Sequence, residues 1–198
     1  MGLKYLHQAK ITSKPPAANE LDDEAFEPDG ILTGGERIAG DGWTLEALPT
    51  PGHASNHFAF GLIEENALFC GDHVMGWSTT VVAPPDGDMA AYLASLDAVI
   101  ARDFAVLWPT HGGPVTDPAP FLAAYRAHRI AREDQILARL AAGDRTIAEM
   151  IPVLYAAVDR RLWPAASLSV LAHLIKLVGE DRVAADPAPT PDATYGVI

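Results

Sequence analysis

The chain has 198 residues, 49% hydrophobic and 20% charged, a globular balance long enough for one domain or two small ones with a real core. Its formal net charge of −12 repels polyanions and makes general nucleic-acid binding a poor expectation, while leaving a local basic groove open. No run approaches the roughly 18 apolar residues of a bilayer span. Met1 to Lys10 lacks a signal-peptide core, so a cytoplasmic location is the default expectation.

Residues 1–40 carry Pro15-Pro16, an acidic stretch from Glu20 to Glu27 and Pro28-Asp29-Gly30. They show no period and read as an irregular lead-in. Trp43, Leu45 and Ala47 alternate with polar residues, as in a half-buried strand. Phe58 to Ile63 and Ala67 to Cys70 read as two hairpin strands ended by Gly71-Asp72. The lone cysteine, Cys70, cannot close an internal disulfide and reads as a small core residue.

Met89, Leu93, Leu96 and Ile100 predict a helix behind the N-cap Asp88. Phe104 to Trp108 predicts a buried strand that stops at Pro109-Thr110-His111-Gly112. Asp117-Pro118 opens a long helix to Ala142, ended by Gly143. Thr146 and Glu149 form a capping box, with Ile147, Ile151, Leu154 and Val158 at helical spacing behind it. Leu168, Leu171, Ile175 and Val178 predict the buried stripe of another helix, and Arg182 to Ala185 a short strand. The expected architecture is therefore α/β (α+β): an α/β unit over 41–142, a winged-helix-like helical unit over 143–186 and a loose tail over 187–198.

Three potential ligands share one context. His53, Asp72 and His111 each follow a predicted strand end beside glycine or proline, and strand ends of one sheet can converge. Imidazole and carboxylate are donors that zinc accepts, and a carboxylate can bridge two ions. Isolated His-Gly or Gly-Asp pairs in loops are usually only turn chemistry, so spacing alone leaves metal binding and turn formation both open.

Thr50-Pro51-Gly52-His53, Gly71-Asp72-His73 and Pro109-Thr110-His111-Gly112 resemble three successive motifs of the metallo-β-lactamase superfamily, in that family's order. The stretch Gly71 to Pro85 resembles the branch containing lactamase-β-like protein 2 and glyoxalase II. The resemblance runs from about Gly40 to the end of the chain. It implies the C-terminal half of an αββα sandwich followed by a winged-helix-like domain. It also implies a two-zinc centre in which His53 ligates the first metal, Asp72 bridges and His111 ligates the second. His57 would face this site from behind the ligands, or else be a plain surface histidine. His73 has no implied ligand role, and His7, His128 and His173 read as structural or solvated.

The family's first motif, His-x-His-x-Asp-His, is absent; the only histidine before His53 is His7. Each metal would then keep two protein ligands, below the three usual for catalytic zinc, so weak or partial binding is expected. The resemblance also leaves no room for an N-terminal β-layer, which predicts an uncovered sheet prone to self-association, and a mis-assigned start or a degenerate fragment. The implied function is ester, thioester or phosphodiester hydrolysis of a small-molecule substrate by metal-bound hydroxide, impaired in this chain. The alternative is a non-catalytic fragment or interaction module. DNA binding by the winged-helix-like unit is less expected, because its second helix carries only Lys176 as a cation.

Overall fold

The computed structural model describes residues 28–198. Arg37–Gly40 (β1), Trp43–Pro49 (β2), Phe58–Leu62 (β3), Ala67–Gly71 (β4) and Val106–Pro109 (β5) form one sheet in that order. Neighbours are antiparallel except β4 and β5, which run parallel. A parallel pair needs a crossover, and Met89–Ile100 (α1) supplies it between β4 and β5. Its N-cap is Asp88, whose carboxylate accepts from the Ala90 and Ala91 amides at 2.7 and 2.9 Å.

The register sorts the sheet into two faces. Leu48, Ala59, Leu68, Cys70 and Leu107 share one face and pack beneath α1 and the long helix Pro118–Ala141 (α2). The opposite face presents Trp43, Phe69 and Trp108, each more than a third exposed. Cys70 is fully buried, donates to the Val74 carbonyl, and burial pushes its thiol up to about 12. It is the core residue the apolar run suggests.

Helix α2 has 24 residues, about 36 Å at 1.5 Å per residue, and serves two cores. Leu122 and Tyr125 join the core under the sheet, whereas Ile136 and Leu140 join a second core. That second core lies among Ile147–Leu154 (α3), Trp163–Gly179 (α4) and a hairpin of Val183–Asp186 (β6) with Thr194–Val197 (β7). The Thr146–Glu149 capping box is formed, and Gly143 takes a positive φ just past α2.

Four expectations need correction. Residues 37–40 are not lead-in but an edge strand, held by β2 and by the Arg37–Glu46 ion pair. The tail is not loose over its whole length. Tyr195 is buried in β7, its hydroxyl donates to the Thr190 carbonyl at 2.6 Å, and β7 pairs with β6. Helix α3 stops at Leu154 and leaves out Val158; Pro152 removes one amide from its last turn. The buried stripe of α4 is Val170, Leu171, Leu174 and Leu177, while Leu168 and Ile175 are over a third exposed. Residues 1–27 of the expected lead-in, His7 included, lie outside the described residues.

The stretch Arg160–Gly179 is long and apolar enough by composition to cross a bilayer. Much of it is α4, whose inner face fills the second core, and the fully buried His173 lies on that face. It is packed as the core helix of a folded domain.

Candidate metal centre

Strand direction explains why distant residues meet. Strands β2, β4 and β5 run the same way, so their C-terminal ends share one edge of the sheet, and β3 begins at that same edge. His53 follows β2, Asp72 follows β4, His111 follows β5 and His57 precedes β3. The turn that carries His53 lies against α1 so closely that a Cβ at Gly52, whose φ is +138°, would run into the Tyr92 backbone.

Asp72 sits between two imidazoles. His53 Nε2 is 3.9 Å from Asp72 Oδ2, and His111 Nε2 is 3.5 Å from Asp72 Oδ1. Both distances exceed a hydrogen bond, and Oδ1 is buried without a partner. Two donors each about 2.1 Å from a tetrahedral ion stand about 3.4 Å apart, close to both separations. His53 Nδ1 lies 2.6 Å from the Val81 carbonyl. A carbonyl only accepts, so Nδ1 carries the proton and the Nε2 lone pair stays free on the Asp72 side. Imidazole locked by a carbonyl is how metal-binding histidines are usually held. These features fit a cation on either side of the carboxylate. The three do not converge on one point, however. Among the described residues no group of three or more His, Cys, Asp or Glu side chains is arranged to enclose a single ion.

His57 stands behind this row. Its Nε2 accepts the Asp72 amide at 3.1 Å, so Nδ1 carries the proton and donates to Thr50 Oγ1 at 2.7 Å. Burial first, then the neighbouring His53, pushes His57 down to about 4 and keeps it neutral. Its lone pair is used on the backbone and is not offered to the site. Gly71 makes the approach feasible: its φ is +56°, and a Cβ there would lie 2.6 Å from His57 Nε2.

His73 is fully buried against Tyr92, with ring centroids 5.0 Å apart, and neither ring nitrogen has a partner. Burial, then the nearby His57, holds it down to about 3, as a neutral packing residue. His128 is exposed on α2, and His173 is buried beside Glu133 between α2 and α4.

The residues that the motifs miss lie beneath the site. Thr80 Oγ1 donates to the Asp72 carbonyl, and the buried Arg129 donates to the Thr80 carbonyl while lying over the Tyr92 ring. The signal for Arg129 was present. Leu122, Tyr125, Arg129, Glu133, Ile136 and Leu140 form one face of α2, and charges on an apolar face demand partners.

Known proteins resemble this chain in sequence and fold. Residues 4–111 match the metallo-beta-lactamase superfamily, beginning well before Gly40 where the motifs alone start the resemblance. Residues 146–189 match the beta-lactamase associated winged helix domain. The chain is 33% identical over 191 residues to an atrochrysone carboxyl ACP thioesterase of Aspergillus chevalieri, covering 91% of this chain and 57% of that protein. It is 35% identical over 115 residues to the beta-lactamase-like protein 2 homolog of Caenorhabditis elegans, covering 58% and 38%. It also superposes on a metallo-beta-lactamase family protein from Thermus thermophilus, with a TM-score of 0.72 and 29% identity. That match covers 87% of this chain and 55% of the other. The chain thus spans about half the length of such relatives. It belongs to the metallo-beta-lactamase superfamily, a family of hydrolases, and carries that family's associated winged-helix domain.

Proposed function

We propose that this chain contributes to metal-dependent hydrolysis of a thioester, with His53 and His111 each ligating one zinc and Asp72 shared by both. The observation that carries the reading is the Asp72 carboxylate set between two imidazoles, with Oδ1 buried and unpartnered. The thioester class rests on the thioesterase relative, which aligns with 91% of the chain. When bound, the metals supply Lewis acidity and a lowered pKa for water.

The chain's own residues do the orienting. The Val81 carbonyl fixes the tautomer and direction of His53. Neutral His57 holds the Asp72 amide and so sets where that carboxylate points. Trp77, 74% exposed on the loop after Asp72, offers an apolar surface for an acyl group. Among the described residues each zinc has two protein donors, one fewer than the usual three, so affinity is low and turnover depends on added metal.

Elemental analysis after dialysis against zinc, paired with hydrolysis of a short acyl thioester, tests this reading. The wild-type protein takes up zinc, and Asp72→Asn loses both zinc and turnover. Zinc uptake unaffected by Asp72→Asn, or thioester hydrolysis indifferent to EDTA, would sink it.

Nucleic-acid binding by the winged-helix unit has little to support it. The one cation on α4, Lys176, has its amine 3.0 Å from Glu133 and 2.8 Å from Glu180, so its charge is already matched.

A further inference from the structure

The loop from Asp72 to Val81 touches every candidate ligand. Asp72 begins it. The Val81 carbonyl at its end meets His53 Nδ1 at 2.6 Å. In its middle the Gly76 amide donates to the His111 carbonyl at 2.8 Å. The loop has no strand or helix of its own, so its shape must be set from outside.

One atom does most of that. The Tyr125 hydroxyl accepts the Thr80 amide at 2.7 Å and the Met75 amide at 3.2 Å, and donates to the Ser78 carbonyl at 3.0 Å. A phenol has one proton and two acceptor sites, so all its capacity goes to three points of this loop. Tyr125 is nearly fully buried, in the first turns of the rigid helix α2. Arg129, one turn on, caps the Thr80 carbonyl and so reinforces the same segment. Ser78 and Thr80 lie between the contacts to His111 and His53, and Met75 directly precedes the first of them. Moving them moves both histidines relative to Asp72.

We propose that Tyr125 is the positioning residue of the metal centre: through a single hydroxyl it fixes the loop that aligns Asp72, His53 and His111. The proposal rests on the metal reading above for its consequence, but not for its geometry. Tyr125 touches neither metal nor substrate, and acts through the backbone of the loop. Groups that orient ligands from behind typically change metal affinity about 10- to 100-fold when removed.

Tyr125→Phe removes one oxygen and keeps the ring in place against Phe121, 5.7 Å away. It should weaken zinc binding at least about 10-fold in competition with a chromophoric chelator. In the metal-free protein it should speed amide exchange at Met75 and Thr80 and shift the ring resonances of His53 and His111. Phe121→Leu disturbs the same packing without touching the hydroxyl, and should lower thermal stability while leaving zinc affinity and these resonances unchanged. In wild-type protein the Met75 and Thr80 amides should already exchange slowly, which tests the clasp with no variant at all.

Zinc affinity within about twofold of wild type in Tyr125→Phe would overturn the proposal. So would fast wild-type exchange at Met75 and Thr80, or an equal loss of affinity in Phe121→Leu. If wild type and Asp72→Asn bind zinc equally, the metal reading fails. The metal-free exchange and histidine resonances then still decide whether Tyr125 sets the loop.

Discussion

At the sheet edge, Asp72 Oδ1, both nitrogens of His73 and Arg129 Nε are buried without partners. Between α2 and α4 the pattern is reversed. Glu133, only 2% exposed, meets His173 Nδ1 at 3.3 Å and Lys176 Nζ at 3.0 Å, and only His173 Nε2 is left unmatched. Buried polar atoms without partners destabilise a fold and persist where function maintains them. The edge therefore carries unmet polar capacity, whereas the helical unit pairs its buried charges. Helix α2 joins the two, with Tyr125 and Arg129 under the site, Glu133 paired with α4, and Ile136 and Leu140 in the second core.

This contrast predicts that damage to the helical unit costs stability and spares the site. The largest effect belongs to Leu174, fully buried in the second core. Leu174→Ala should lower the unfolding free energy by about 3 kcal/mol, through lost burial and the cavity left behind. Urea denaturation measures it, and zinc affinity of the folded fraction should be unchanged. An equal loss of zinc affinity would mean that the two regions are not separable.

Glu133→Gln comes next, at about 2 kcal/mol near pH 7, because Lys176 loses one of its two carboxylate partners. Its effect depends on pH. Burial alone would raise the Glu133 carboxyl, but the hydrogen bonds from His173 and Lys176 outweigh it and hold the group below its ordinary 4.5. Arg182 also faces it at 3.9 Å. A depressed carboxyl stabilises the fold above 4.5 and loses that contribution as pH falls through the folded value. His173 adds to the slope. Burial, opposed by Glu133 and assisted by Arg129 and Arg132, keeps it below 6.5, so the unfolded chain takes up a proton first as pH drops. Thermal midpoints should therefore fall from pH 6.5 downward in wild type. The gap between wild type and Glu133→Gln should close below pH 4.5. A gap constant with pH would deny Glu133 its charged role.

Legibility differed between the two regions for physical reasons. His53, Asp72 and His111 could be singled out because each lies just past a strand end, beside glycine or proline. Their meeting needed the shared direction of β2, β4 and β5, which no local pattern carries. Tyr125 escaped notice because its role is a hydroxyl on a distant backbone loop, and an aromatic on an apolar helix face looks like core. In α4, apolar residues run nearly all round the helix, so a 3.6-residue period fits several faces and the chosen stripe was rotated from the buried one. Strand β7 was hidden by the prolines before it, although Tyr195 anchors it.

The smallest effect on stability should come from the residue that matters most to the proposed chemistry. Asp72→Asn removes a carboxylate whose Oδ1 has no hydrogen bond and whose neighbouring imidazoles, His53 and His111, are beyond bonding distance. Nothing in the fold depends on that charge. The amide has the same shape, and the Asp72 backbone contacts to His57 and Thr80 are untouched. Unfolding in the absence of metal should shift by less than about 0.5 kcal/mol, as for a substitution that removes no packing and no bond. Added zinc should then raise the midpoint of wild type and leave Asp72→Asn where it was, because only a native state that binds the ion is stabilised by it. A large loss of metal-free stability in Asp72→Asn would make the carboxylate a structural group and would erase the contrast between the two regions.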